Sequence, residues 1–178
     1  SQVEYAEGPV GITLIIFKKP VKVYMDVRGG WPAYLNGLST NTKQTIDGIC
    51  LVGGSILGLE AVCGIMSETL IKCKNWKSIN GAVIYSRNLY NNKNYPDKNL
   101  GIFAYNNLNN ILYNGQVGAG QTAAKGQGWY YHKLNKIKIL GLVVNNAIGD
   151  IYKNNKKIFS HFNFSEIDTV VAGNIGVP

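Results

Sequence analysis

Residues 46–72 constrain this chain most. Ile46–Val52 is a short apolar run that ends in Gly53-Gly54-Ser55, and from Ile56 the apolar residues Leu57, Leu59, Val62, Cys63, Met66 and Leu70 fall near helical spacing to about Lys72. A strand that turns through glycines directly into a helix belongs to a layered α/β fold. The same stretch is the nearest approach to a membrane span. Asp47 and Glu60 interrupt residues 47–66, however, and Gly48, Gly53, Gly54, Gly58 and Gly64 punctuate them, so no run reaches the roughly 18 apolar residues a spanning helix needs. No membrane partner is expected.

The rest of the chain interleaves strands and helices. Val10–Phe17 and Val21–Val27 are β-rich runs joined by Lys18, Lys19 and Pro20, which predicts a hairpin or two adjacent strands. Residues 31–45 carry turn chemistry throughout and read as a loop. Gly81–Tyr85 is a buried strand, Asn88–Asn94 a polar excursion, and Pro96 at a helix N1 position with Asp97 in the first turn predicts a helix through about Leu112. After the glycine-rich stretch from Gly115 to Gly128, Lys136–Val144 and Ile148–Tyr152 predict a long strand pair, and Ile167–Val171 a last strand. The early hairpin and late pair imply a mixed sheet rather than a repeated βαβ winding. At 178 residues the chain suits one domain, 1–178, or the large fragment of one.

Charge and cysteines exclude several classes. Eighteen Lys+Arg against 10 Asp+Glu give +8, a balance that suits nucleic acid, yet only Arg28 and Arg87 are arginines and the lysines are spread over many loops. No nucleic-acid partner is expected. Cys50, Cys63 and Cys73 show no CxxC spacing for zinc or redox chemistry, and Cys50 in its apolar run reads as a small buried hydrophobe. A Cys-His pair with His132 or His161 has no support. The start SQVEYAEGPVG lacks a basic segment followed by an apolar core, so a cytoplasmic, reduced setting is expected.

Two glycine motifs fail their tests. Gly118-Ala119-Gly120 through Lys125-Gly126 lacks the GxxxxGK[ST] order of a phosphate loop, and Gly53-Gly54-Ser55-Ile56-Leu57-Gly58 spaces its glycines as GGxxxG rather than GxGxxG. At the second motif the glycines either let a helix approach a sheet closely or aim backbone N–H groups at an anion.

In order, however, VEYAEGPVGITLIIF, DVRGG, ICLVGGSILGLEAVCGIM, GAVIY, YPDKNLG, GQVGAGQTAAKG and LVVNNAIGD resemble the α-chain portion of the L-aminopeptidase/D-esterase and β-peptidyl aminopeptidase family. Within it the wording is similar to the nylon-oligomer (6-aminohexanoate-oligomer) endohydrolases, and the resemblance runs from about Val3 to Asp150. It implies a self-processing N-terminal-nucleophile hydrolase, α/β in class, with a four-layer αββα sandwich of mixed sheets completed by a separate β chain. In such enzymes a precursor cuts itself before a Ser or Thr, which then heads the β chain as nucleophile. The freed α-amine, with an unperturbed pKa near 7.7–8.0, lies beside its own hydroxyl and serves as local base. On this resemblance, GNIGVP would lie at or shortly before the processing point, the β subunit from the same precursor is a partner, and αβ units assemble further. Thr169 in DTVV is expected to be an ordinary strand residue.

Residue by residue, the resemblance assigns three candidates. Tyr85, ending GAVIY, matches an active-site tyrosine whose phenol donates to substrate or nucleophile. Lys125, in GAGQTAAKG, matches a lysine beside the nucleophile, where its ammonium stabilises the reacting oxygen or tunes the α-amine. Asn146, in VVNNAIG, matches an asparagine whose amide is an oxyanion donor. The doubled Asn145-Asn146 departs from the pattern: strand alternation lets only one face the site, and the spacing through Ala-Ile to Gly149 favours Asn146. The segment between lysine and asparagine is also shorter than in the nylon-oligomer pattern, which alters the wall built by residues 126–136.

The implied activity is hydrolysis of linear oligoamides through an acyl-enzyme, with no metal or organic cofactor. An aminopeptidase acting on short peptides or β-peptides is the alternative within enzymes. A non-catalytic binding protein that keeps the fold is the alternative outside them.

Overall fold

The computed structural model describes residues 1–5, 10–28, 34–35, 45–85, 94–147 and 149–159. Five strands, β1 (Gln2–Glu4), β2 (Gly11–Lys22), β3 (Tyr34–Leu35), β4 (Thr45–Val52) and β5 (Ile79–Val83), form one sheet in the order β1-β2-β4-β5-β3. Only β4 and β5 run parallel, and the remaining pairs are antiparallel, so the sheet is mixed as the sequence implies. A 3₁₀ turn (Ser55–Gly58) and helix α1 (Leu59–Cys73) make the crossover between the parallel pair. Helix α2 (Lys98–Asn106) lies beside α1.

Strand alternation decides where the core sits. Ile12 and Leu14 of β2 and Cys50 and Val52 of β4 point to one face, where they pack with Ala61, Val62, Ile65, Leu100 and Ala104 from the two helices. Truncating a fully buried leucine such as Leu14 to alanine costs about 2–5 kcal/mol. The helices can close on each other because of glycine: a Cβ on Gly101 would stand 2.1 Å from the Ala61 carbonyl oxygen. The opposite face carries Thr13, Ile15, Ile49 and Leu51, of which the last three are only half-buried. The short helix α3 (Ala119–Thr122) lies against this face: Ala119 and Ala123 pack with Ile84, Leu51 and Val144.

Three local readings are corrected. In place of the expected hairpin or adjacent strands Val10–Phe17 and Val21–Val27, a single strand, β2, continues through Lys18-Lys19-Pro20 and ends at Lys22, so Val23–Val27 form no strand. Pairing with β4 passes from Ile16↔Gly48 to Val21↔Ile46, so β2 spends five steps where β4 spends two; Pro20, with no N–H to donate, falls in that irregularity. Next, Asp97 is the N-cap of α2 rather than a first-turn residue, with its carboxylate accepting from Leu100 N–H at 2.9 Å. The helix stops at Asn106 instead of reaching Leu112. Asn107 Nδ2 takes the Phe103 carbonyl at 2.8 Å and Asn109 Oδ1 takes Ile111 N–H at 3.0 Å, so asparagine side chains compete with the helical ladder there.

The third correction concerns the late strands. Two further strands, β6 (Gln127–Leu134) and β7 (Ile137–Val144), pair with each other across Asn135, which is left-handed at φ 55°, while β8 (Ile151–Lys153) and β9 (Lys156–Phe159) form a separate hairpin. The expected pairing of Lys136–Val144 with Ile148–Tyr152 therefore gives way to two short-range hairpins, the first turning on the single left-handed Asn135 and the second on left-handed Asn154 and Asn155. Residues 126–136 are thus mostly strand β6 and the hairpin turn. Of the loop expected over 31–45, only Tyr34–Leu35 and Thr45 are described, and both belong to strands. Arg87, His161, Thr169 and the strand expected at Ile167–Val171 lie outside the described residues. No helix among the described residues is long and apolar enough to cross a membrane.

Candidate active site

The end of β5 is tied to the turn that follows β4. Ile84 N–H donates to the Val52 carbonyl at 2.7 Å and Ser55 N–H donates to the Ile84 carbonyl at 3.1 Å, which brings the Tyr85 carbonyl out at the carboxyl end of the parallel pair. The Gly53-Gly54-Ser55 turn is tight for steric reasons. Gly54 takes φ 81°, and a Cβ on Gly53 would stand 2.0 Å from Thr122 Oγ1, so α3 seats directly on the turn.

On the other side, the β6–β7 ladder continues past Gln127↔Val144. Asn145 N–H donates to the Gly126 carbonyl and Lys125 N–H donates to the Asn145 carbonyl, both at 2.9 Å. The root of the ladder is anchored to the sheet. Buried Thr13 donates through Oγ1 to Gln127 Oε1 at 2.8 Å and accepts from Ala119 N–H at 3.0 Å, while Gln127 Nε2 donates to the Tyr113 carbonyl at 2.9 Å. Thr13 escaped the sequence reading. Its one signal was a hydroxyl inside the apolar run VGITLIIF, where a buried polar group needs a partner.

Tyr85, Lys125 and Asn146 meet between these two anchors. Asn146 Oδ1 accepts from Ala124 N–H at 2.9 Å and its Nδ2 donates to the Tyr85 carbonyl at 3.0 Å. Lys125 Nζ donates to the Ala147 carbonyl at 2.6 Å, one residue beyond Asn146. Of the doubled asparagines, Asn146 is the one that reaches β5; Asn145 Oδ1 turns back to accept from Ala147 N–H at 3.1 Å. Tyr85 joins the group through its backbone, with its side chain 38% exposed. Among the described residues, Asn146 Nδ2 spends one of its two donors, on the Tyr85 carbonyl.

Cys50 and His132 lie away from this group. Cys50 is fully buried in the core on the helix-bearing face, and burial pushes its thiol up to about 12, so it is an inert hydrophobe at neutral pH. His132 sits on the exposed β6 strand, its ring stacked on Tyr130 with centroids 6.3 Å apart.

A mixed sheet backed by two helices, with the Lys125 loop, the Asn146 amide and the Tyr85 strand end linked at the carboxyl ends of its parallel strands, makes this an α/β chain. Sequence comparison narrows the class. The chain is 31% identical to the 6-aminohexanoate-oligomer endohydrolase of Kocuria sp. (strain KY2) over 166 residues, covering 83% of this chain and 45% of that protein. The enzymes of the same name from Agromyces sp. (strain KY5R) and Paenarthrobacter ureafaciens match at the same identity and coverage. The chain is therefore a relative of the 6-aminohexanoate-oligomer endohydrolases, and it spans less than half of their length. No family model matches it. A solved structure, the PH0078 protein from Pyrococcus horikoshii OT3, aligns with a TM-score of 0.48 at 17% identity, over 79% of this chain and 42% of that one.

Proposed function

We propose that this chain is the α portion of a self-processing amide hydrolase that cleaves linear oligoamides. The observation that carries the reading is the meeting of Tyr85, Lys125 and Asn146 in a chain 31% identical to 6-aminohexanoate-oligomer endohydrolases. The nucleophile in this reading is a Thr or Ser at the head of a β chain from the same precursor. That chain supplies the second sheet of an αββα sandwich, and half-buried Ile15 and Ile49, on the sheet face that α3 covers at Leu51, are the surface that would receive it.

The chemistry follows from the residues in hand. The β-chain hydroxyl attacks the substrate amide carbon while its proton passes to the adjacent α-amine. Negative charge then grows on the carbonyl oxygen, where the free N–H of Asn146 and the Lys125 ammonium oppose it. The α-amine returns the proton to the leaving nitrogen as the C–N bond breaks, leaving an acyl-enzyme that water hydrolyses by the same steps. Tyr85 acts as a hydroxyl donor toward substrate or nucleophile. The αβ units associate further into an oligomer.

The test is to express the parent gene, record intact masses, and incubate the product with 6-aminohexanoate oligomers. Two chains with a new Thr or Ser N-terminus, and release of shorter oligomers, are expected. A single uncut chain without hydrolysis would sink the reading.

A further inference from the structure

Asn145 has no part in the chemistry above, yet it bonds to the same residue, Ala147, whose carbonyl receives the Lys125 ammonium. Its backbone pairs in both directions with the Lys125 loop, through Lys125 N–H and the Gly126 carbonyl at 2.9 Å each. Its side-chain Oδ1 accepts from Ala147 N–H two residues on, an Asx turn that bends the chain just after β7. The bend presents the Ala147 carbonyl to Lys125 Nζ at 2.6 Å, a short charge-assisted bond. Asn146, the residue before Ala147, is held by Ala124 and Tyr85.

We propose that Asn145 is a positioning residue whose Asx turn holds the Ala147 carbonyl where it captures the Lys125 ammonium, and thereby aims that charge beside Asn146. The catalytic half of this inference rests on the function proposed above; the structural half does not. The two asparagines divide the work. Asn146 spans from the lysine loop to β5, and Asn145 shapes the carbonyl that the lysine reaches. A flexible four-carbon stem is a poor way to fix a point charge, and an anchor supplied by an adjacent turn removes that freedom.

The experiment uses the full processed enzyme in five forms: wild type, Asn145→Ala, Asn145→Asp, which keeps the acceptor oxygen, Lys125→Met, and the double variant Asn145→Ala with Lys125→Met. Acylation of Lys125 by a soluble acetylating reagent is followed by peptide mass spectrometry, with exposed Lys133 as internal reference. Hydrolysis of a 6-aminohexanoate oligomer is measured in parallel. Asn145→Ala should raise Lys125 labelling severalfold and lower kcat by about tenfold at steady KM, and Asn145→Asp should restore both. The double variant should be no slower than Lys125→Met alone, because the asparagine acts only through the lysine. Unchanged labelling in Asn145→Ala, or losses that multiply in the double variant, would overturn the inference. If the wild type hydrolyses nothing, the functional reading falls, and the labelling arms still decide whether Asn145 holds the lysine.

Discussion

Asn146 Nδ2 donates to the carbonyl of Tyr85 at 3.0 Å across 61 residues of sequence, joining the end of β7 to the end of β5. The same side chain accepts from Ala124, so it ties the lysine loop to the tyrosine strand end, with one of its two donors unspent among the described residues. Asn146→Ala should lower kcat by about 10²–10³ with little change in KM, the scale of losing one oxyanion donor. It should also lower the melting temperature, since Ala124 N–H and the Tyr85 carbonyl lose their partner together. An Asn146→Ala enzyme with normal turnover would remove this residue from the chemistry.

Lys125 and Tyr85 are expected to act through single polar atoms. Lys125→Met keeps most of the aliphatic stem and Tyr85→Phe removes one oxygen, so neither opens a large cavity and both enzymes should melt near the wild type. Turnover on a short oligoamide should fall at least about tenfold for each, the effect of losing one or two kcal/mol of transition-state stabilisation. Under the proposed function, where one nucleophile would perform both reactions, Lys125→Met should also slow self-cleavage of the precursor. Wild-type rates in both variants would make these residues structural.

How much of this was legible depends on whether a signal was local. The Ile46–Val52 strand, the glycine turn and the helix behind it were readable because apolar spacing and glycine chemistry coincide over consecutive residues. The single strand β2 was not, since Lys-Lys-Pro has turn composition and only pairing with β4 carries the chain through it. Strand β6 was hidden for another reason. Gln127–Leu134 is exposed along nearly its whole length, with Tyr130 at 71%, so no buried face imposes alternation on it. At the site, family spacing singled out Asn146, and the Asx turn at Asn145 supplies the physical reason the pair divides as it does. The only local sign of Thr13 was a hydroxyl inside an apolar run; its partner Gln127, 114 residues away, leaves no trace in that neighbourhood.

Thr13→Val tests that silent support. The change keeps the side chain's shape but strands Gln127 Oε1 and Ala119 N–H in a buried setting. Each unsatisfied group costs about 1–3 kcal/mol. At this chain length, roughly 2–4 °C of melting temperature is lost per kcal/mol, which a thermal melt resolves easily. Activity should fall too, because α3 and the root of β6 carry the Lys125 loop. A Thr13→Val protein as stable as the wild type would show that the network contributes nothing.

The Tyr5–Asp97 pair gives stability a pH signature on both sides of neutrality. Tyr5 Oη donates to Asp97 Oδ1 at 2.6 Å, and Asp97 also caps α2. Burial, with the hydrogen bond to Asp97 next, raises the Tyr5 phenol from 10.0 to about 12. For Asp97, burial pushes upward but the bonds from Tyr5 and Leu100 outweigh it, and its pKa falls below 3.8. The fold therefore prefers the neutral phenol and the ionised carboxylate. The Tyr5 contribution is complete below pH 10 and drains away between pH 10 and about 12, as the unfolded chain ionises first. That of Asp97 is complete above pH 3.8 and is lost as pH falls through its lower folded value. Cys50, raised to about 12 by burial, and Tyr105, raised to about 12 by its bond with Cys73, add to the alkaline loss. Tyr5→Phe should consequently flatten the acid limb of a melting-temperature profile and only part of the alkaline limb. Profiles of equal slope for the two proteins on both limbs would show that this hydrogen bond does not couple to stability.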